Sequence, residues 1–204
     1  MPRDKRISHE RIIQAARKEF LSKGFEKASM RSIGSEAGMT QAALYRHFVS
    51  KEAMFSALVE PALIQLRKTF KESERIIADV SNNDISFGSL IIRNNSLMVK
   101  EFITSYRDAF RLVINCSQGT QYENFIPKVV RKQQEVTLRA IKKLKENGAV
   151  IRDISENELH IILSAYITAV FEPVVHDWPE EEAIACLDVI DEFFLPGWKK
   201  LFGY

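Results

Sequence analysis

Apolar residues recur at helical spacing from one end of the chain to the other. Over residues 8–23, Ile12, Ala16 and Phe20 return every four positions, Ile13 and Ala15 widen the stripe, and charged residues fill the gaps. That is the pattern of an amphipathic helix with one buried face. Gly24 follows where a C-terminal cap is expected, and Phe25 returns to the core side. A short helix starts from Ser29, whose hydroxyl can accept from a first-turn amide, and buries Met30, Ile33 and Ala37 before stopping at Gly38. Thr40 caps a third helix, TQAALYRHF over 40–48, anchored by Leu44 and Phe48. Ser50 caps a fourth, from Lys51 into the low 70s or beyond, with Met54, Leu58, Ala62 and Leu66 on one stripe.

SNND at 81–84 marks the next break, and the spacing then predicts helices near 86–104, 106–117, 123–147, 156–176 and 180–202. Gly119, Gly148 and Pro179 separate them. Ser155 with Glu158 three residues later forms a capping box, and Pro173 should kink its helix or end it early. No strand pattern competes and no internal repeat is present. The expected fold is all-α.

Composition changes this picture little. The 204 residues, 46% hydrophobic and 27% charged with only 8 Gly and 6 Pro, exclude a disordered or collagen-like chain. Charge is more telling. The net +2 divides into 11 Lys+Arg against 5 Asp+Glu over residues 1–51, and 18 against 22 beyond. A basic front module suits a polyanion, and a mildly acidic body suits some other task. Cys116 and Cys186 lie far apart, which fits a reducing cytoplasm and buried small hydrophobes rather than a disulfide, while Cys116, close to a helix end, stays open to a reading as a reactive thiol. MPRDKRISHE has no apolar segment of the secretory kind, and no run reaches the roughly 20 apolar residues of a membrane span. No membrane partner is expected.

Two short helices joined by Ala37-Gly38-Met39 fit a helix-turn-helix, whose second helix enters the DNA major groove. With Leu44 and Phe48 turned inward against Ile33 and Ile12, the third helix keeps Thr40, Gln41, Ala42, Tyr45, Arg46 and His47 around its outward side. The string SMRSIGSEAGMTQAALYRHFVSKEAMFSAL resembles the N-terminal signature of the TetR family of bacterial one-component transcriptional regulators. The resemblance covers about residues 8–58; the body is similar only in size and helical layout. It implies a three-helix DNA-binding domain over 1–50 and a helical effector-binding and dimerisation domain over 51–204.

By that resemblance Gln41 and Arg31 are the leading base readers, since amide and guanidinium groups can pair bidentately with adenine or guanine edges. Thr40 and Ala43 sit close enough to touch base edges or sugar. Tyr45, His47, Lys51 and Ser29 match positions that contact phosphates, and a free helix N-terminus at Ser29 also favours an anion. Arg46 could read guanine, hold a phosphate or stay in solvent. Two departures stand out: Ser32 replaces a usual acidic residue, leaving one local cap without its group, and Ala43 replaces a usual hydroxyl. Arg3, Lys5 and Arg6 could add a phosphate contact or be a plain polar start.

The resemblance also implies dimerisation through the last two helices and a small ligand in the body. LHIILSAYITAVF, 159–171, is apolar almost all round, and Ile184, Leu187, Ile190 and Phe194 form a stripe broadened by Cys186, Val189 and Phe193. Both exceed what one packing surface needs. Phe102, Tyr106, Phe110, Tyr166 and Phe171 are candidate lining residues for an apolar or aromatic effector, though aromatics at such spacing are more often core. His160 and His176, sixteen apart without a cysteine or carboxylate pattern, give no metal site. No cofactor is expected. GSEAG at 34–38 has its serine in the second rather than the third position of a nucleophile elbow, and no phosphate-loop or dinucleotide fingerprint occurs, so catalysis is not expected. The alternative is the same DNA module on a helical adaptor or nucleoid-associated protein that answers a protein partner.

Overall fold

The computed structural model describes residues 5–78, 102 and 104–202, with side chains from residue 7. Every element among the described residues is helical: α1 (Lys5–Lys27), α2 (Met30–Glu36), α3 (Gln41–Tyr45), α4 (Lys51–Ala78), α5 (Arg107–Asn115), α6 (Phe125–Glu146), α7 (Glu156–Val175) and α8 (Glu180–Phe202). The helix expected over 86–104 lies outside the described residues, save 102 and 104. The chain forms two compact units, Met1–Ile64 with Asp108–Glu123, and Gln65–Arg107 with Asn124–Tyr204.

In the first unit, Ile12, Ala16, Phe20, Ile33, Leu44, Met54, Phe55, Val59 and Leu112 are completely buried or nearly so. Aromatic rings knit its centre. Phe55 meets Phe20 and Phe25 edge-on at centroid distances of 5.2 and 5.4 Å, and tilts against Tyr122 at 6.0 Å. Gly24 adopts φ 73°, ψ 167°, a conformation almost reserved for glycine, and breaks α1 three residues before its end. The expected stop is thus a bend, after which Phe25 donates its N–H to the Cys116 carbonyl at 2.8 Å and buries its ring. α5 and the segment after it are fastened to the same module: Arg17 pairs with Asp108 of α5 at 3.3 Å, and Tyr122 donates to Glu60 at 2.9 Å.

In the second unit α6 packs on α7 and α7 on α8. Leu159, Leu163, Ile167, Val170, Phe171 and Val174 of α7 are buried. The capping box is present as expected: Ser155 accepts from the Glu158 amide and the Glu158 carboxylate accepts from the Ser155 N–H. Pro173 stands inside the last turn, and the helix ends two residues later at Val175. The N–H of Trp178 then reaches the Pro173 carbonyl across Asp177, which takes a left-handed φ of 55°. By length and apolarity alone α7 could cross a bilayer, contrary to the expectation from uninterrupted runs. Its opening turn nevertheless carries Glu156 and Glu158, and its buried face is covered by its neighbours.

Candidate nucleic-acid interface

The turn between α2 and α3 is built by two glycines. Gly38 holds a left-handed φ of 67°, so Met39 N–H can return to the Gly34 carbonyl at 2.8 Å and close α2. A Cβ at Gly34 would stand 3.1 Å from the Met39 carbonyl oxygen, so a side chain there would push the turn outward. Both caps form as expected: Ser29 Oγ accepts from the Ser32 amide at 3.5 Å, and Thr40 Oγ1 from the Ala43 amide at 3.2 Å. A hydroxyl that accepts from its own helix keeps its hydrogen for an outside acceptor, as a phosphate contact requires.

The regular helix is shorter than expected. It ends at Tyr45, and the following amides tighten to i→i−3, Arg46 to Ala43 and His47 to Leu44. Leu44 and Phe48 are buried, and the His9 ring stacks on Phe48 at 5.2 Å. Ser29, Arg31, Thr40, Gln41, Tyr45 and Arg46 are exposed; Ala43 and His47 are half-buried. Tyr45, 45% exposed, holds an aromatic ring and a hydroxyl outside the core without structural need.

Lys51 departs from its expected role. Its Nζ donates to the carbonyls of Phe25, Glu26 and Ala28 at 2.8, 3.1 and 3.2 Å, and lies 4.4 Å from the centre of the Phe25 ring. All of its N–H donors are used within the protein, which leaves none for a phosphate. The cap thought lacking at Ser32 is supplied from α1 instead. Glu19, a buried carboxylate, accepts from Ser29 N–H at 3.1 Å and Lys23 Nζ at 2.8 Å through one oxygen, and from the Ser32 hydroxyl at 2.9 Å through the other. Of the amides at this helix end, that of Ser29 is thus taken by Glu19 and that of Ser32 by the Ser29 hydroxyl. Glu19 was not foreseen, although a carboxylate seven residues after Ile12, on the apolar face, signalled a buried partner.

Burial pushes the Glu19 carboxyl up, but the bonds from Lys23, Ser29 and Ser32 outweigh it and hold the group below the ordinary 4.5. Its contribution to stability is then complete above about pH 4.5 and is lost as pH falls through the lower folded-state value. A Glu19→Gln variant should melt below the wild type at pH 7, the gap narrowing as melts are repeated below pH 4.5. A gap independent of pH would assign the loss to shape rather than charge.

The five candidate lining residues are divided between the two units. Phe110 is buried in the first unit. In the second, Phe102 pairs with Tyr106 at 6.3 Å, Phe171 with Phe125 at 5.7 Å, and Tyr166 with Phe194 and Trp198 at 5.2 and 6.2 Å. Burial, with Asp191 nearby, pushes the Tyr166 hydroxyl up, so it remains neutral. Cys116 is buried and its thiol is likewise pushed up by burial, against a smaller opposite pull from Arg111. Such a thiol is poorly reactive.

The model of the bacterial regulatory proteins of the tetR family matches residues 12–58, the helix-turn-helix with its flanking helices. Over that stretch the chain is similar to the tetR-type DNA-binding module. The uncharacterized HTH-type transcriptional regulator YdgC of Bacillus subtilis is 35% identical over 79 residues, which are 39% of this chain and 40% of that protein. The chain thus matches well under half the length of this curated relative. The similarity of fold extends further. The structure of MexZ, a repressor responsible for antibiotic resistance in Pseudomonas aeruginosa, aligns over 95% of this chain and 94% of its own at 17% identity, with a TM-score of 0.65. A SmeT–triclosan complex aligns over 91% and 90% at 20% identity, with a TM-score of 0.53. The helical body therefore shares its fold with these structures.

Proposed function

We propose that this protein is a cytoplasmic transcriptional regulator of the TetR family that binds double-stranded DNA as a homodimer. It acts as a repressor, leaving a palindromic operator when a small apolar or aromatic ligand binds the helical body. The observation that carries the reading is the helix-turn-helix itself: a short α3, locked by the Gly38 turn and the Thr40 cap, with Gln41, Tyr45 and Arg46 exposed. Gln41 and Arg31 read base edges, while Ser29, Tyr45 and His47 fix the register on phosphates.

Dimerisation is supported by the exposed apolar side chains of α7 and α8. Ile161, Val189 and Phe193 are 68%, 64% and 77% exposed. A two-fold pair would present its recognition helices about 34–36 Å apart, one turn of DNA. For the ligand, Phe102, Tyr106, Phe110, Tyr166 and Phe171 remain the candidates, Phe110 in the first unit and the other four in the second. The triclosan complex of SmeT is an example of an aromatic ligand on this fold. One observation favours the adaptor alternative: Tyr166 and Phe171 rest on other core rings.

The test is a fluorescence titration of the gene's own upstream fragment against scrambled DNA across a salt series. The native fragment should bind at least about 10³-fold more tightly, as specific sites do. Gln41→Ala with Tyr45→Ala should remove that preference. Equal, steeply salt-dependent binding to both would support the nucleoid-associated alternative.

A further inference from the structure

The segment between α1 and α2 is held from two sides by opposite charges. On one side the Lys51 ammonium gathers the carbonyls of Phe25, Glu26 and Ala28, the last acceptors before Ser29. On the other, the Glu19 carboxylate gathers the Ser29 amide and the Ser32 hydroxyl. Three carbonyls converging on one point suit a compact ammonium with three N–H groups and no acceptor. Turning Lys51 outward toward DNA would strip all three at once and remove its charge from the Phe25 ring. Its arrangement is thus fully used inside the protein, and what it fixes is the start of α2, where Ser29 is exposed.

We infer that Lys51 is a positioning residue for DNA binding, which sets Ser29 and the N-terminus of α2 from within and makes no phosphate contact of its own. This deepens, and rests on, the DNA-binding reading. Two consequences separate it from a direct contact. Each lost phosphate contact lowers the salt slope by about 0.9 per site, whereas lost positioning weakens binding without removing that increment. Residues that act through one another are also non-additive, whereas independent contacts add.

The experiment titrates the operator fragment across a salt series with the full-length wild type, Lys51→Met, Lys51→Arg, Ser29→Ala and the Lys51→Met Ser29→Ala pair. It is done well below each melting temperature, with active protein counted by stoichiometric titration. Lys51→Met retains the stem and removes the donors. It should weaken binding about tenfold or more, as the loss of charge-assisted bonds allows, with an unchanged slope and a clearly smaller effect when Ser29 is already alanine. Lys51→Arg keeps the charge but not the compact head, and should also bind less tightly at unchanged slope. A slope reduced by about 0.9 per chain, additive effects with Ser29→Ala, or full affinity in Lys51→Arg would each overturn the inference. If Lys51→Met does not fold, the arginine variant and its slope decide alone. A wild type with no affinity for DNA would remove the DNA-binding reading itself; a binding wild type with an altered slope in the variants removes only the role of Lys51.

Discussion

Phe193→Asp is expected to leave each protomer folded while abolishing the dimer and, with it, useful operator affinity. Phe193 is the most exposed large ring among the described residues, 77% open on α8, with Val189 four residues earlier at 64% and Ile161 on α7 at 68%. Its ring leans on Phe194 at 5.2 Å, edge to face, so it extends an internal aromatic group to the surface. Burial against a second copy would recover about 25 cal/mol for each Å² of apolar surface, and a central aromatic anchor dominates such interfaces. A carboxylate there would be buried without a partner. The effect on DNA is larger than the effect on the contact itself. A dimer binds its second half-site intramolecularly, which multiplies affinity by about 10²–10⁴, and a monomer forfeits that factor. Analytical ultracentrifugation and the operator titration should both respond, with the melt of the second unit little changed. A variant that still sediments as a dimer would falsify the assignment of this face.

Phe55→Ala is expected to produce the largest single loss of stability in the first unit, about 3–5 kcal/mol, in the range for deleting a fully buried phenyl ring. Phe55 is wholly buried and touches three rings from two separate stretches: Phe20 and Phe25 of α1, and Tyr122 beyond α5. Its loss would leave a cavity where α1, α4 and the segment beyond α5 meet. Far-ultraviolet circular dichroism should show an early transition, and operator binding should fail on warming yet return on cooling. An unchanged melt would mean that the neighbouring rings collapse into the space. The contrast with Phe193 is instructive: one ring is needed because it is inside, the other because it is outside.

The helices of this fold were legible because their apolar spacing is regular and their ends carry local chemistry. Thr40, Ser50 and Ser155 each accept from the amide three residues on, as their types and positions implied. What escaped depends on contacts distant in sequence. Gly24 was read as a stop and is a bend, because a carbonyl at Cys116 waits for the Phe25 amide. The sequence places Lys51 by its position in the motif alone and shows nothing of the carbonyls of Phe25, Glu26 and Ala28 around its ammonium. The carbonyls that claim it lie 23 to 26 residues away. Phe110 has the spacing of its neighbours Phe102 and Tyr106, but α5 passes from one unit to the other within a residue of Asp108, and spacing along a helix carries no record of that crossing.

The two tryptophans of the chain, Trp178 and Trp198, both fall in the second unit, one stacked on His176 and the other set among Tyr166 and Phe202. Indole emission therefore has an inherent blind spot. It follows the half assigned to effector and partner while the DNA-reading half, which holds tyrosines but no indole, melts unseen. A quench on adding a compound or a second copy would report the helical body directly, without contamination from the other half.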